Sequence, residues 1–411
     1  MLTRRSAVLA AAGLAIPGFG PDALAQARER MIRIGLALSF TGPDAPFAQR
    51  IANGAQMAFD DANRRKAVKG HAFRTERFDN ATAAAGRYDP AQGAANARKM
   101  VDDRAMLAAI GPMMSSVARP MLPILSEGNL PIVSPSATSP DLTDPKLAGE
   151  FRPKGKPVFF RTVTTDAYQG VNMANFYAEV LAVRSVFVLD DGGSFGVGIA
   201  DAFEAQARKK GIQLLGRDRL DPNAADHAGL LARIRSLGAR SLYYGGLAPA
   251  GAALARQAHE IVPAIIRGSG DGIMATDFLA TSGFPAAEGW YATQASPNLG
   301  ADPALAAWTR TYVARFKMPP DTYSITAHSA AEAIVEAARI AAATGKPVTR
   351  DALRDALQAV RVKTLQGMVE FDAHGDIAAR TVSVYQVRKD TTKPLDDAAA
   401  QFKYIFTAPE A

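Results

Sequence analysis

The sequence predicts an α/β protein of two similar Rossmann-like lobes, each a parallel sheet wrapped by helices. Three observations predict it. At 411 residues the chain exceeds what one small core organises. Short apolar strands alternate with amphipathic helices, the grammar of βαβ units and therefore of parallel sheets. That alternation runs twice, once before and once after a basic, Pro- and Gly-rich insertion from Asp144 to Pro157.

The first series opens with a continuous apolar strand, Met31 to Leu38. A Gly42-Pro43 loop then leads into a helix whose Ile51, Ala55, Ala58, Phe59 and Ala62 share one face. Ala72 to Phe78 alternates like a strand, and Ala91 to Val101 reads as a helix. Met106 to Ile110 is a buried strand, followed by a Gly111-Pro112 turn and a helix opening at Ser115-Ser116. Val117, Met121, Ile124 and Leu125 give that helix its apolar side, and Gly128-Asn129 stops it. A strand from Pro131 to Val133 runs into a Ser134–Ser139 turn. Two hydroxyl-rich segments thus lie just past the carboxyl ends of two strands, the edge at which open α/β sheets bind ligands. One of them opens a helix, whose free N–H groups favour an anion such as a carboxylate.

The insertion is expected to be a surface loop without structure of its own. Beyond it come strand Val158 to Thr162, helix Tyr168 to Leu181, strand Ser185 to Leu189 and helix Phe195 to Lys210. Strand Ile212 to Arg217, helix Ala228 to Leu237, strand Ser241 to Gly245, helix Ala250 to Glu260 and strand Ala264 to Gly268 continue the pattern. Trp290 to Thr293 reads as a strand, with later helices around Trp308, His328 to Ala342 and Thr349 to Val360. Met368 to Phe371 and Val382 to Val387 are β-rich.

The amino terminus predicts export. Thr3-Arg4-Arg5-Ser6 precedes an apolar run from Ala7 to Phe19, and Ala23-Leu24-Ala25 has the cleavage spacing of a signal peptide over residues 1–25. The paired arginines point to the twin-arginine route into the periplasm. The run is too short for a membrane-spanning helix. With no cysteine in the chain, burial alone must stabilise an exported fold. The net charge of +7 is spread over scattered basic residues without interleaved aromatics, so nucleic acid is not an expected partner.

Enzymatic chemistry has one candidate. Gly192-Gly193-Ser194-Phe195-Gly196 fits the nucleophile-elbow pattern, with Asp271 and His328 following in hydrolase order. Two aspartates and two glycines separate the serine from its strand, however, and no HGGG-type oxyanion segment lies upstream. The five histidines lack metal-ligand spacing, and no phosphate-binding glycine loop is present, so neither a metal nor a cofactor is expected. Asp271 is a lone carboxylate in the Gly-bounded loop Gly268–Gly272 after a strand. It can shape a turn, or face the serines of the first series and receive the ammonium of a zwitterion.

The segments IRIGLALSFTGP, IGPMMSSVARP, LPIVSPSATSPDLT, FFRTVTTDAYQG, LYYGG and VEFDAHGD, in this order from Ile32 to Val387, resemble the periplasmic branched-chain amino-acid (Leu/Ile/Val-type) binding proteins of ABC importers. The resemblance implies the type I periplasmic binding protein fold. Its two lobes are joined by a three-strand hinge, here residues 29–164 with 296–372 and 165–295 with 373–405. It also implies a monomeric, non-enzymatic protein that holds a small carboxylate-bearing ligand, a hydrophobic amino acid, in the cleft and hands it to a membrane permease. Same-fold receptors that report to a sensor or regulator are the alternative. Ser115, Ser136, Ala137 and Thr138 match the positions that hold the ligand carboxylate, and Asp271, to within one residue, the acidic group that holds the ammonium. Phe47, Phe195 and Leu247 match cleft-lining positions, where Leu247 departs from the usual aromatic. Met114 stands where the family often has one half of a disulfide.

Overall fold

The computed structural model describes residues 29–408 apart from 225, 299 and 301; the expected signal peptide lies outside the described residues. Two sheets organise the chain. The five-stranded one is parallel throughout, in the spatial order His71–Asp79, Arg30–Leu38, Met106–Ile110, Ile132–Ser134, Phe159–Arg161. The seven-stranded one runs Phe402–Ala408, Val382–Val387, Tyr291–Gln294, Ile266–Ser269, Ser241–Gly245, Ser185–Asp190, Gln213–Arg219. Val382–Val387 pairs antiparallel with both of its neighbours, and the other pairs are parallel. Fully covered strands explain the near-continuous apolar runs: Ile32, Ile34, Leu36, Ala37 and Leu38 are all buried.

The two sheets do not divide the chain at one point. One apolar core joins strands and helices up to Val163 with Ala295, Tyr323 to Leu357 and Val369 to Ile377. Two smaller clusters pack on either face of the second sheet and take in Val384, Val387 and Phe402. The chain therefore passes between the cores three times. Two of the passages touch where the Thr164 N–H donates to Ala295 O (3.0 Å), and beside them the Ser383 hydroxyl donates to Ser296 O (3.0 Å).

Helix starts follow local chemistry. Asp89 accepts from Ala91 and Gln92 N–H to open Pro90–Asp102, with proline at the first turn. Asp321 and Ser324 form a reciprocal capping box that opens Thr322–Ala343. That long helix packs along Ala45–Arg64, and their closest approach is at Gly54, where an added Cβ would lie 2.0 Å from Ser324 O. Only a residue without a side chain fits there.

Two features of the sheet and loops differ from the sequence reading: Phe402–Ala408, beyond the last strand read, forms an edge of the seven-stranded sheet, and the insertion is ordered. The insertion is not structureless: Pro145–Leu147 forms a 3₁₀ turn and Ala148–Phe151 a short helix. Its anchor is Phe151, which is buried in the first core and stacks beneath Arg119. An aromatic among polar residues holds the loop down, which compositional reasoning about Pro and Gly overlooks.

Candidate functional site

Both sheets turn the carboxyl ends of their parallel strands toward one cavity of about 370 Å³. Ser115, Ser136, Phe47, Phe195, Leu247 and Asp271, six of the eight residues singled out in the sequence, line it. Ala137 and Thr138 stand behind its wall, both buried. The Ala137 N–H donates to Ser134 Oγ (2.9 Å), and the Thr138 hydroxyl donates to Asp166 Oδ2 (3.0 Å).

On the five-stranded side, Ser115 is the first residue of the helix Ser115–Glu127 and only 4% exposed. Its Oγ accepts from the Ser139 N–H (3.2 Å), which leaves the hydroxyl hydrogen free to donate. Ser136 Oγ donates to Met113 O (3.0 Å), and Ser134 Oγ donates to Pro112 O (2.8 Å), so the two strand-end loops are stitched together. The helix end adds positive potential without a cationic side chain. Arg161 lies beneath this wall, fully buried. Its Nε donates to Asp376 Oδ1 (2.6 Å), Nη1 to Ala137 O (3.1 Å) and Ser139 O (2.8 Å), and Nη2 to Thr143 Oγ1 (2.6 Å). The serine turn is thereby fixed from behind by one guanidinium.

On the seven-stranded side, Asp271 opens a 3₁₀ turn and its Oδ2 accepts from the Tyr323 hydroxyl (2.6 Å). Tyr323 comes from the other core, so this bond crosses between the two halves. Next to it, Asp166 begins the helix Asp166–Glu179, is fully buried and accepts on Oδ1 from Gln169 Nε2 (3.0 Å). Burial, with the neighbouring Asp271 carboxylate adding to it, holds the Asp166 carboxyl well above the ordinary range. Burial likewise pushes Asp271 up to about 6, against the opposing hydrogen bonds from Tyr323 and Gln169.

Apolar surface joins the two polar ends. Phe47 meets Tyr323 edge-on, with ring centroids 5.1 Å apart. Leu247, at the head of the helix Ala248–Ile261, packs against the first core although its strand belongs to the second. Pro394 and Asp396 to Ala399, from the connection between the two carboxyl-terminal strands, also line the cavity, together with Pro319 and Pro320.

The serine-hydrolase arrangement is not assembled. Ser194 Oγ sits 3.5 Å from Ser139 Oγ, while His328 Nδ1 lies 3.3 Å from Glu332 and its ring packs edge-on against Trp308. The glycines of the motif have a packing reason: an added Cβ at Gly196 would stand 2.6 Å from Gly245 O. Among the described residues no group of His, Cys, Asp or Glu is placed to hold a metal ion, and no helix is long and apolar enough to cross a membrane.

The family model for periplasmic binding proteins matches residues 31–392. The chain belongs to the periplasmic binding protein family. Its role is solute binding, in a family of substrate-binding proteins of the exported, periplasmic type. A Leu/Ile/Val-binding protein from Rhizobium johnstonii is 31% identical over 356 residues, covering 86% of this chain and 91% of the relative. Among solved structures, a leucine-binding protein from Thermotoga maritima has a TM-score of 0.78 at 21% identity, covering 92% of this chain and 98% of that one. A branched-chain amino acid transporter substrate-binding protein from Streptococcus pneumoniae, in complex with isoleucine, has a TM-score of 0.75 at 18% identity, covering 91% and 99%. At these identities the two structures are alike in fold.

In this binding protein the sequence reading missed Asp166, Tyr323, Arg161 and the Pro394–Ala399 wall. Asp166 and Gln169 lie in the TTDAYQG stretch, where an aspartate at a helix start reads as an ordinary first-turn residue. A signal did exist for Arg161: a lone arginine inside the apolar run Val158–Val163 must find partners if that strand is covered.

Proposed function

We propose that this periplasmic binding protein captures a hydrophobic α-amino acid between its lobes and delivers it to a membrane ABC permease. The reading is carried by the polarity of the cavity. The free Ser115 hydroxyl and the helix N-terminus it opens, beside the Ser136 turn, suit a carboxylate, Asp271 opposite them suits an ammonium, and Phe47, Phe195 and Leu247 suit an aliphatic side chain. The Leu/Ile/Val-binding name of the Rhizobium relative agrees with this class. On this reading the lobes that close are 29–164 with 296–372 and 165–295 with 373–405, in a monomer exported by the twin-arginine route.

Calorimetry on the mature protein tests the ligand class. L-leucine, L-isoleucine or L-valine should bind, and 4-methylpentanoate, which is leucine without its amine, should bind more weakly. Saturation by the acid with no response to any amino acid would overturn the reading. Export is tested separately: replacing Arg4-Arg5 by Lys-Lys should slow it, and unchanged export would assign the general secretory route.

A further inference from the structure

Asp166 and Asp271 support an inference that rests on the reading above, since it requires an amine-bearing ligand. Asp166 is fully buried and Asp271 is 5% exposed. The side-chain hydrogen bonds described for the two carboxylates come from neutral donors: Thr138 and Gln169 to Asp166, and Tyr323 to Asp271. Among the surrounding charged groups Arg161 favours the charged form of Asp166 through space, but burial outweighs it. Arg161 is engaged with Asp376, Thr143 and two carbonyls. Tyr243, from the strand beneath, is fully buried with its hydroxyl unpartnered, and Tyr177 lies behind it. Asp321 adds a further negative charge beyond Tyr323, with Arg50 near Asp321. Gln169 Oε1 is also buried without a donor. The result is a buried polar group with no cation bonded to either carboxylate among the described residues. Two neighbouring carboxylates in such surroundings do not both stay ionised.

We propose that in the ligand-free protein Asp166 and Asp271 share one proton, and that they exchange it for the ammonium of the incoming amino acid. No covalent bond to the ligand forms. The shared O–H proton leaves to solvent as the cation enters, so the net charge of the site is the same before and after. The upward displacement of both carboxyl groups by burial supports this. By linkage, the dissociation constant should fall by up to about tenfold per pH unit as pH rises toward the value at which the pair loses its proton, and level off above it.

Two measurements test the exchange. The first needs no ligand: infrared spectra of the free mature protein across pH, with Asp166→Asn as the near-isosteric control. A protonated carboxyl signal persisting to about pH 6, above the ordinary carboxylate range, is expected, and in the variant, where Asp271 keeps its burial but loses the neighbouring carboxylate, it should move to lower pH. Tyr323→Phe, which removes a donor to Asp271, should move that signal to higher pH and serves if Asp166→Asn fails to fold. The second is calorimetry at about pH 5, below the value at which the pair loses its proton, in buffers of different ionisation heat, with release of about one proton expected for L-leucine and none for 4-methylpentanoate. Absence of the protonated carboxyl, an unmoved transition in Tyr323→Phe, or L-leucine binding without proton release each overturns the exchange. A protonated carboxyl with no heat from any amino acid overturns the amino-acid reading and the exchange with it, and so is distinct from failure of the exchange alone.

Discussion

The wall built on the five-stranded sheet presents hydroxyl groups and a helix N-terminus to the cavity, whereas the wall built on the seven-stranded sheet presents the Asp271 carboxyl, with Asp166 buried behind it. The first is locally determined: Ser115, Ser134, Ser136 and Ser139 bond to one another and to backbone within two short loops. The second is assembled from distant chain. Asp166 is held by Thr138, and Asp271 by Tyr323, a residue 52 positions away in the other core. A donor wall can thus be built mostly from turn chemistry, with Arg161 fixing it from behind, while an acceptor wall needs partners from the opposite half to stay buried.

The largest effect expected on this comparison comes from beneath the donor wall. Arg161→Met takes the cation from Asp376, which keeps the Thr143 hydroxyl, and removes the donor to Ala137 O and Ser139 O; it should lower stability by about 3–5 kcal/mol. The estimate is an upper one, because Asp376 is partly exposed. Thermal unfolding measures it, and any loss of binding should fall equally on L-leucine and 4-methylpentanoate. Next is Asp271→Ala, which removes a desolvated partner of the ligand ammonium. It should weaken L-leucine by about 2–5 kcal/mol and leave 4-methylpentanoate nearly unchanged. Equal loss of both ligands would reduce Asp271 to a turn former and break the contrast between the walls.

Ser115→Ala should cost about 1.5–3 kcal/mol, as expected for one hydrogen bond to a charged group, and should cost it for both ligands alike. The smallest expected effect has the opposite sign. Asp166→Asn removes a buried like charge, and should stabilise the free protein by roughly 1–3 kcal/mol at neutral pH while weakening L-leucine. Both carboxyl groups are raised in the fold, so their cost is absent below the ordinary value and grows as pH rises, for Asp271 between 3.8 and about 6. The gain in Asp166→Asn should therefore shrink as the protein is acidified toward that ordinary value. A gain independent of pH would show that shape rather than charge decides it.

The same contrast explains what could be read from the sequence. The alternation of strands and helices, the serine loops at strand ends and Asp271 in its glycine loop are all short-range patterns. Asp166 and Arg161 are not. Asp166 becomes a buried acid only because Thr138 comes to lie against it. Arg161, inside an apolar strand, finds an acceptor 215 residues onward at Asp376. The 388–401 connection lies beyond the last strand read from the sequence, and the antiparallel pairing of Val382–Val387 with Phe402–Ala408 folds it back to the cavity.

The close approach at Gly54 reaches further than helix packing. Ser324, which an added methyl would strike, directly follows Tyr323 in the chain. Any side chain at position 54 displaces the turn that carries Tyr323, and with it the hydroxyl that meets Asp271 across the lobes. Drift at a position outside the cavity would then be read by selection as a change in appetite for the solute, with every residue that touches the solute left intact.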